Sequence, residues 1–520
     1  MSIEKAKIGI EDLEIGAGTF NRKGRTGFDI SVTKISLESL VDSYARLKLP
    51  SFAFADLPTA GTVGRLALVT DNIRGIWRDT GTAWVSVTGV ADTDDFAGAD
   101  IGVKINAIIT AIGLGNPVVI RISRQDDYSY STSIDLTSTE NVRITGFGSN
   151  LSTLNNRKPN LIWTGGAGTG PAIKAPGAIG LEIDHLSLTY NNSAFNGYLI
   201  SLATTGAPDT STANIHHNSI TGTSTATGAA GLIELDTSER IAIEKNSFRY
   251  GVTAIKSTAG SNNVIAIRDN WFQSDFTSAK IVAWGNAWTI ESNVFEDGTT
   301  LIAALDQAGD VQGLRFVGNQ MVDGGTGGGT LFDLRLVTKG VEISGNSFTA
   351  ASGTAILASS TAGNSLGWSI RGNYISGMTT GINLAVAEGV EITGNVITAT
   401  TPWTGTNPTR LWITGNDFGL TTTSGLSVTN ANTILLSRSA IKGSGLIAVY
   451  SIEDNAQALY MLNGTGNSVS EVSDPAGIFS PTAGTATSLN IYYSSANGRY
   501  ELENLRGSTR TIIVNSVFGR

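Results

Sequence analysis

The sequence predicts an all-β protein built around a single-stranded parallel β-helix, and three observations carry that expectation. Nine asparagines recur at near-even intervals: Asn218, Asn246, Asn270, Asn293, Asn319, Asn346, Asn373, Asn395 and Asn416, in steps of 28, 24, 23, 26, 27, 27, 22 and 21. Each stands three residues after an Ile or Phe and two before another apolar residue, a unit written I-x-x-N-x-F in Ile243–Phe248, Ile267–Phe272, Ile290–Phe295 and Ile343–Phe348. A second apolar run follows the next glycine, as in Gly251–Lys256 and Gly381–Ala385. A repeat of this length is one coil of a solenoid.

Within a coil, Val341 and Ile343 share one face by period two. Ser344-Gly345 then bends the chain, so that Asn346 and Phe348 point inward again. Two or three such strands per turn, stacked at roughly 4.8 Å, place Ile on Ile and Phe on Phe. The asparagines stack as well, because an amide both donates and accepts. Outward charges alternate from coil to coil: Glu244, Arg268 and Glu291 two residues before the Asn, Lys245 and Asp269 one before, and Arg315 beneath Glu342 four before. Opposite charges on adjacent strands read as structural ladders.

Composition bounds the rest. A chain of 520 residues exceeds one compact core, but a solenoid grows along one axis. Charged residues make up only 15% and the net charge is −9, which argues against nucleic acid as a partner. The absence of cysteine excludes disulfides, thiolate catalysis and Cys-based zinc sites. The start, MSIEKAK, is charged, so no signal peptide is expected, and no apolar run approaches the ~18 residues of a membrane span.

Along the chain, residues 1–90 precede the repeat as a short α/β region. Ser36–Leu47 reads as an amphipathic helix with Leu37, Leu40, Val41 and Tyr44 on one side. Gly64–Asp71 (GRLALVTD), Gly75–Asp79 (GIWRD) and Ala83–Val87 (AWVSV) read as a small β-meander. The solenoid is expected over 91–425, opened by a capping helix at 99–112 with Ile101, Ile105, Ile108, Ile109 and Ile112 at helical spacing. Less regular early coils include Val142–Ile144 and Leu181–Leu188. Residues 430–520 alternate in strands separated by Asn463-Gly464 and Asn497-Gly498, predicting an antiparallel β-sandwich.

A capped right-handed β-helix between such flanks resembles bacteriophage tailspikes and tail fibres. Gly64–Asp71 with Ile76-Trp77 and Ala83–Val85 resembles a module of phage tail proteins, and Asp95–Asn106 (DFAGADIGVKIN) resembles the opening helix of pectate-lyase-like β-helices. The resemblance implies a homotrimer in the virion, made in the host cytoplasm. Its N-terminal region would attach to tail or baseplate proteins and its coils would face a bacterial surface polysaccharide, with no cofactor and no membrane insertion. It carries over no catalytic position.

Candidate chemistry therefore rests on the residues themselves. Beyond the Asn-x-Phe element stand Arg249, Tyr250, Gln273, Asp275, Glu296, Asp297 and Asp323, with Asp297 and Asp323 at equivalent places on neighbouring coils. Asp275, Glu296, Asp297 and Asp323 form a like-charged group, which pushes one pKa upward as a general acid requires. Arg249, Gln273, Trp271, Trp284 and Trp288 are the candidate sugar-binding residues around it. A second group comprises Glu234, Asp236, Asp306 and Asp333, with Arg335 placed to pair Asp333. His185, His216 and His217 show no metal-ligand spacing with carboxylates and read as solvated coil residues. Few unpaired cations favour hydrolysis over β-elimination. The alternatives are a receptor-binding fibre that grips glycan without cutting it, and a structural spike joining other fibres. Tyr450, Tyr460, Tyr492, Tyr493 and Tyr500 in the C-terminal segment suit either glycan stacking or packing.

Overall fold

Parallel strands stack in register along three faces of the chain, so the coil has three strands per turn. The structure is a computed structural model, which describes residues 13–16, 19–22, 49–122, 126–146, 158–203, 210–224, 231–258, 262–273, 276–296, 303–322, 329–405, 412–414, 416, 426–435, 445–463, 467–496 and 499–518. The first face runs from Val118–Ile122 to Trp412–Thr414, and the second from Asp127–Tyr130 to Val396–Thr398. The third runs from Ile134–Asp135 to Thr401–Thr404. The two-or-three-strand expectation thus resolves to three.

The core is made of like side chains in columns. On the first face Ile144, Ile183, Ile215, Ile243, Ile267 and Ile290 lie in successive register. On the second, Phe248, Phe272 and Phe295 stack with ring centroids 4.9 and 4.7 Å apart and interplanar angles of 13° and 4°. Such ring pairs add about 0.5–1.5 kcal/mol beyond the area they bury.

Between these two faces runs the asparagine column. Asn293 is typical: its Nδ2 donates to Ile267 O and to Asn319 Oδ1, both at 2.9 Å. Its Oδ1 accepts from the backbone N–H of Asn270 at 2.9 Å and from Asn270 Nδ2 at 3.0 Å. The pattern repeats from Asn218 to Asn416. Every amide is satisfied by the coil on each side, which a buried polar group requires.

The residue before each asparagine from Asn218 to Asn395 takes a left-handed conformation. Gly318, Gly345, Gly372 and Gly394 do so at φ of 61–64°. His217, Lys245, Asp269 and Ser292 occupy the same place at φ of 53–56°, although they are not glycine. Lys245 and Asp269 therefore serve the bend rather than only a charge ladder. The outer ladders are otherwise as expected: Arg268 Nε lies 3.2 Å from Glu291, and Arg315 Nε donates to Glu342 at 3.0 Å.

The capping helix spans Ile101–Ile112 and buries Ile101, Ile105, Ile108, Ile109 and Ile112 on the first coil. Asp100 caps its N-terminus, accepting from Val103 N–H at 2.9 Å and from the amides of Ser131 and Thr132 at 3.1 Å. Burial opposes the Asp100 charge, but those donors prevail and hold its pKa below the ordinary value. Gly102 sits so close to Thr132 O that a Cβ would lie 2.0 Å from it, which fixes the helix against the coil.

The meander forms as Leu66–Val69, Ile73–Asp79 and Trp84–Ser86, all antiparallel. It is not separate from the solenoid. Gly89–Asp92 pairs antiparallel with Ile73 and Arg74 and parallel with Val118–Arg121, joining meander to first coil. The early coil at Leu181–Leu188 carries two strands, Glu182–Asp184 and Ser187–Tyr190, with a bend at His185, φ 55°. The helix expected at 36–47 lies outside the described residues. After the coils come a five-stranded and a four-stranded sheet, with Ile447, Val449, Tyr460, Ile491, Tyr500 and Leu502 buried in the core.

Two adjacent residues give opposite tests of this coil. Asn293→Asp replaces a donor by a carboxylate between two acceptors and should cost about 2–4 kcal/mol. Ser292→Gly, one residue earlier, relieves a left-handed L-residue and should gain about 0.5–1 kcal/mol. Thermal or denaturant unfolding of the two variants checks both signs.

Candidate functional site

Register on the third face decides which acids meet. Its outward column reads Ser201, Glu234, Lys256, Val282 and Asp306 on successive coils. Leu305 then pairs with Phe332, so the next residues along, Asp306 and Asp333, share an edge between adjacent coils. The second candidate group is therefore two groups, because Lys256 and Val282 separate Glu234 and Asp236 from Asp306 and Asp333.

Glu234 accepts from Ser201 Oγ at 2.6 Å and from Thr258 Oγ1 at 3.3 Å. Burial nevertheless raises its pKa, and Asp236 adds to the shift against the pull of Lys256. Asp236 itself accepts from Thr237 Oγ1 at 2.9 Å.

The other pair is better set for proton transfer. Burial raises the Asp306 pKa, the Gln307 amide at 2.7 Å opposes it, and the charge of Asp333 pushes it further up. Asp333 is held in a two-point ion pair by Arg335, whose Nε donates to Oδ1 at 2.6 Å. Two carboxyls on neighbouring coils with one biased toward its protonated form are what acid catalysis beside an anion needs.

Next to this pair the coil is irregular. Ala283 faces Gln307 while Gly285 faces Val311, so Trp284 alone stands against Ala308, Gly309 and Asp310. The half-buried Trp284 indole lies across Gly309, where a Cβ would come within 2.4 Å of the ring. Buried Gln307 ties the bulge down. Its Oε1 accepts from Leu336 N–H, and its Nε2 donates to Thr338 Oγ1, both at 3.0 Å. Neither Gln307 nor Gly309 is singled out by the sequence repeat, because both belong to a departure from it.

Of the first acidic group, Asp275, Asp297 and Asp323 lie outside the described residues. Glu296 is on the second face, opposite Val322. Gln273 donates to Ser247 Oγ at 2.8 Å, and the Arg249 guanidinium lies 4.4 Å over the Tyr250 ring. The three tryptophans do not act together. Trp271 is 45% exposed on the second face, Trp284 is on the third, and Trp288 is fully buried in register with Ile265. Trp288 is thus a core residue and not a sugar platform. Among the C-terminal tyrosines, Tyr460 and Tyr500 are fully buried and serve packing. Tyr450 and Tyr492 are half-buried and donate to Asn455 and Glu501.

The histidines are not solvated coil residues. His185 and His217 stack at 5.1 Å with an interplanar angle of 3°. His216 Nδ1 lies 2.7 Å from His217 Nδ1, and His216 Nε2 lies 2.8 Å from Glu182 Oε1. The signal was available: Ile183 and Ile215 are equivalent core positions, which aligns Glu182–Asp184 with Asn214–His216.

No protein-family model and no curated protein matches this sequence. The chain is similar to the solved structure of the Dettilon tailspike protein, at 15% identity over 82% of this chain and 94% of that one, with a TM-score of 0.37. It is similar to the tailspike protein of Acinetobacter phage vB_ApiP_P1, at 12% identity over 91% and 99%, with a TM-score of 0.33. A third is DFA-IIIase from Arthrobacter chlorophenolicus A6, at 13% identity over 64% and 94%, with a TM-score of 0.40. At these identities and scores the likenesses carry no argument about activity.

The raised pKa of Asp306 has a consequence for stability. A carboxyl whose folded-state pKa exceeds its unfolded value holds its proton more tightly when folded, so stability falls as pH rises through that window and the loss is complete above it. Asp306→Asn should therefore raise the unfolding temperature by ~1–2 °C at neutral pH and leave it unchanged near pH ~3. Thermal unfolding at the two pH values reads the difference.

Proposed function

We propose that this chain is a phage tailspike that recognises a bacterial surface polysaccharide and cleaves it by glycoside hydrolysis at Asp306 and Asp333. The observation that carries the reading is the adjacent-coil carboxyl pair, with Asp306 biased toward protonation and Asp333 ion-paired to Arg335, beside a tryptophan laid flat over a glycine. Strand neighbours stand roughly 4.8 Å apart, near the ~5 Å that suits retaining hydrolysis. In that chemistry Asp306 protonates the leaving glycosidic oxygen while Asp333 attacks the anomeric carbon, and water then releases the glycosyl group with Asp306 acting as base. Trp284 supplies an apolar face for a sugar ring, and Arg335 orients the nucleophile.

The N-terminal motifs Gly64–Asp71 and Ala83–Val85 support attachment to the virion through the meander, with three copies assembling side by side. The group of Asp275, Glu296, Asp297 and Asp323 is the competing catalytic locus. A fibre that binds glycan without turnover is the remaining reading.

Release of reducing ends from purified host capsule or O-antigen measures the activity. Asp306→Asn and Asp333→Asn should each lower kcat by about 10²–10⁴-fold, and Trp284→Ala should raise KM with a smaller effect on kcat. Full turnover in both acid variants, with loss in Asp297→Asn and Asp323→Asn, moves the reaction to that group. Binding without turnover in the unmodified chain makes it a receptor fibre.

A further inference from the structure

We propose that Glu182, Asp184 and His216 form a binding site for a divalent transition metal of the zinc class, on coils separate from the carboxyl pair above. Strand Glu182–Asp184 lies in parallel register with Asn214–His216, so Asp184 sits directly beside His216 and Glu182 diagonally from it. One ligand atom from each of the three falls within 4.8 Å of the others. Donors bound tetrahedrally at 2.0–2.1 Å stand about 3.3 Å apart. His216 Nε2 is 2.8 Å from Glu182 Oε1 and 3.8 Å from Asp184 Oδ2, values on either side of that spacing.

A second observation points to a cation independently. The Asp184 side chain is fully enclosed, yet among the described residues its Oδ1 has no hydrogen-bond donor. Its Oδ2 is taken by Arg143, with His185 Nδ1 at 3.4 Å. A buried carboxylate oxygen without a donor is costly and calls for a cation or a bound water beside it, on the same carboxylate whose Oδ2 faces His216. Arg143 faces both acids, its Nε 3.5 Å from Glu182 Oε1, so its single charge is shared between two carboxylates and leaves a net negative charge for the metal.

The histidines supply the orientation that ligation needs. Only one of the two facing Nδ1 atoms of His216 and His217 can carry the shared proton across their 2.7 Å contact. When His216 donates it, the Nε2 lone pair faces both carboxylates, the tautomer that binds metal. One imidazole nitrogen with two carboxylates selects zinc-like ions over calcium or magnesium, which prefer oxygen alone. Three protein ligands leave a fourth position for water or a ligand group.

Isothermal titration of the full chain, stripped with chelator and then supplied with Zn²⁺ or Ca²⁺, tests the site. The expected result is one Zn²⁺ per chain, bound at least 10-fold more weakly by His216→Gln and by Glu182→Gln, with Glu342→Gln as an unchanged control. Co²⁺ should give a visible absorption band in the unmodified chain that both variants lose. Circular dichroism identifies a variant that fails to fold, in which case the other variant decides. The inference is overturned if the unmodified chain takes up no Zn²⁺, if both folded variants bind it as the parent does, or if Ca²⁺ binds in preference.

Discussion

Stacked side-chain amides set the geometry on which everything else depends. Each Asn fixes its coil to the coil below through Oδ1 and to the coil above through Nδ2, as Asn346 does with Asn319 and Asn373. A slip of one residue would bury a charge and strand two amides, so register is strongly specified. Register in turn makes neighbours of residues more than 20 positions apart. That is why Asp306 meets Asp333 and Asp184 meets His216, although no local motif joins them.

The same ladder explains how charge is used on the outside. Glu342 is pulled down to about 2, chiefly by its hydrogen bond with Arg371, with Arg315 and Ser344 adding to it. Alternating signs of this kind stabilise a column and leave no group poised for reaction. The columns that break alternation behave differently. Asp306 above its ordinary range and the donorless oxygen of Asp184 both occur where like charges or burial are tolerated at a local cost.

What the sequence made legible follows from periodicity. The asparagine column, the phenylalanine stack and the capping isoleucines could be counted out because identical positions demand like residues. What it hid lies in the exceptions. Trp284 and Trp288 are four residues apart on one strand, yet one covers Gly309 and the other is core, because the strand passes from one face to the next between them. The grouping of Glu234 with Asp333 failed for a simpler reason: three intervening coils put Lys256 and Val282 in the way. The coil of His185 lacks the asparagine marker, because Leu186 occupies that place, so only the isoleucine column aligns Asp184 with His216.

The irregular coil carries a further lesson about where a repeat protein can hold chemistry. A uniform column offers only strand-spaced side chains, and a pocket needs chain that leaves the ladder. At Trp284 two extra residues on the next coil create that departure, and their freed backbone must find new partners. Gln307 provides one, its Nε2 donating to Gly309 O at 3.4 Å, and from its buried position it also reaches Leu336 N–H, Val337 O and Thr338 Oγ1 on the following coil. Asn262 does comparable work at the preceding corner, accepting from Ser238 N–H at 3.0 Å, while Gly285 packs against its backbone. A carboxamide thus ties the bulge to the coil that follows it. Asp306 immediately precedes Gln307, so the group that anchors the bulge also fixes the direction of the acid beside it.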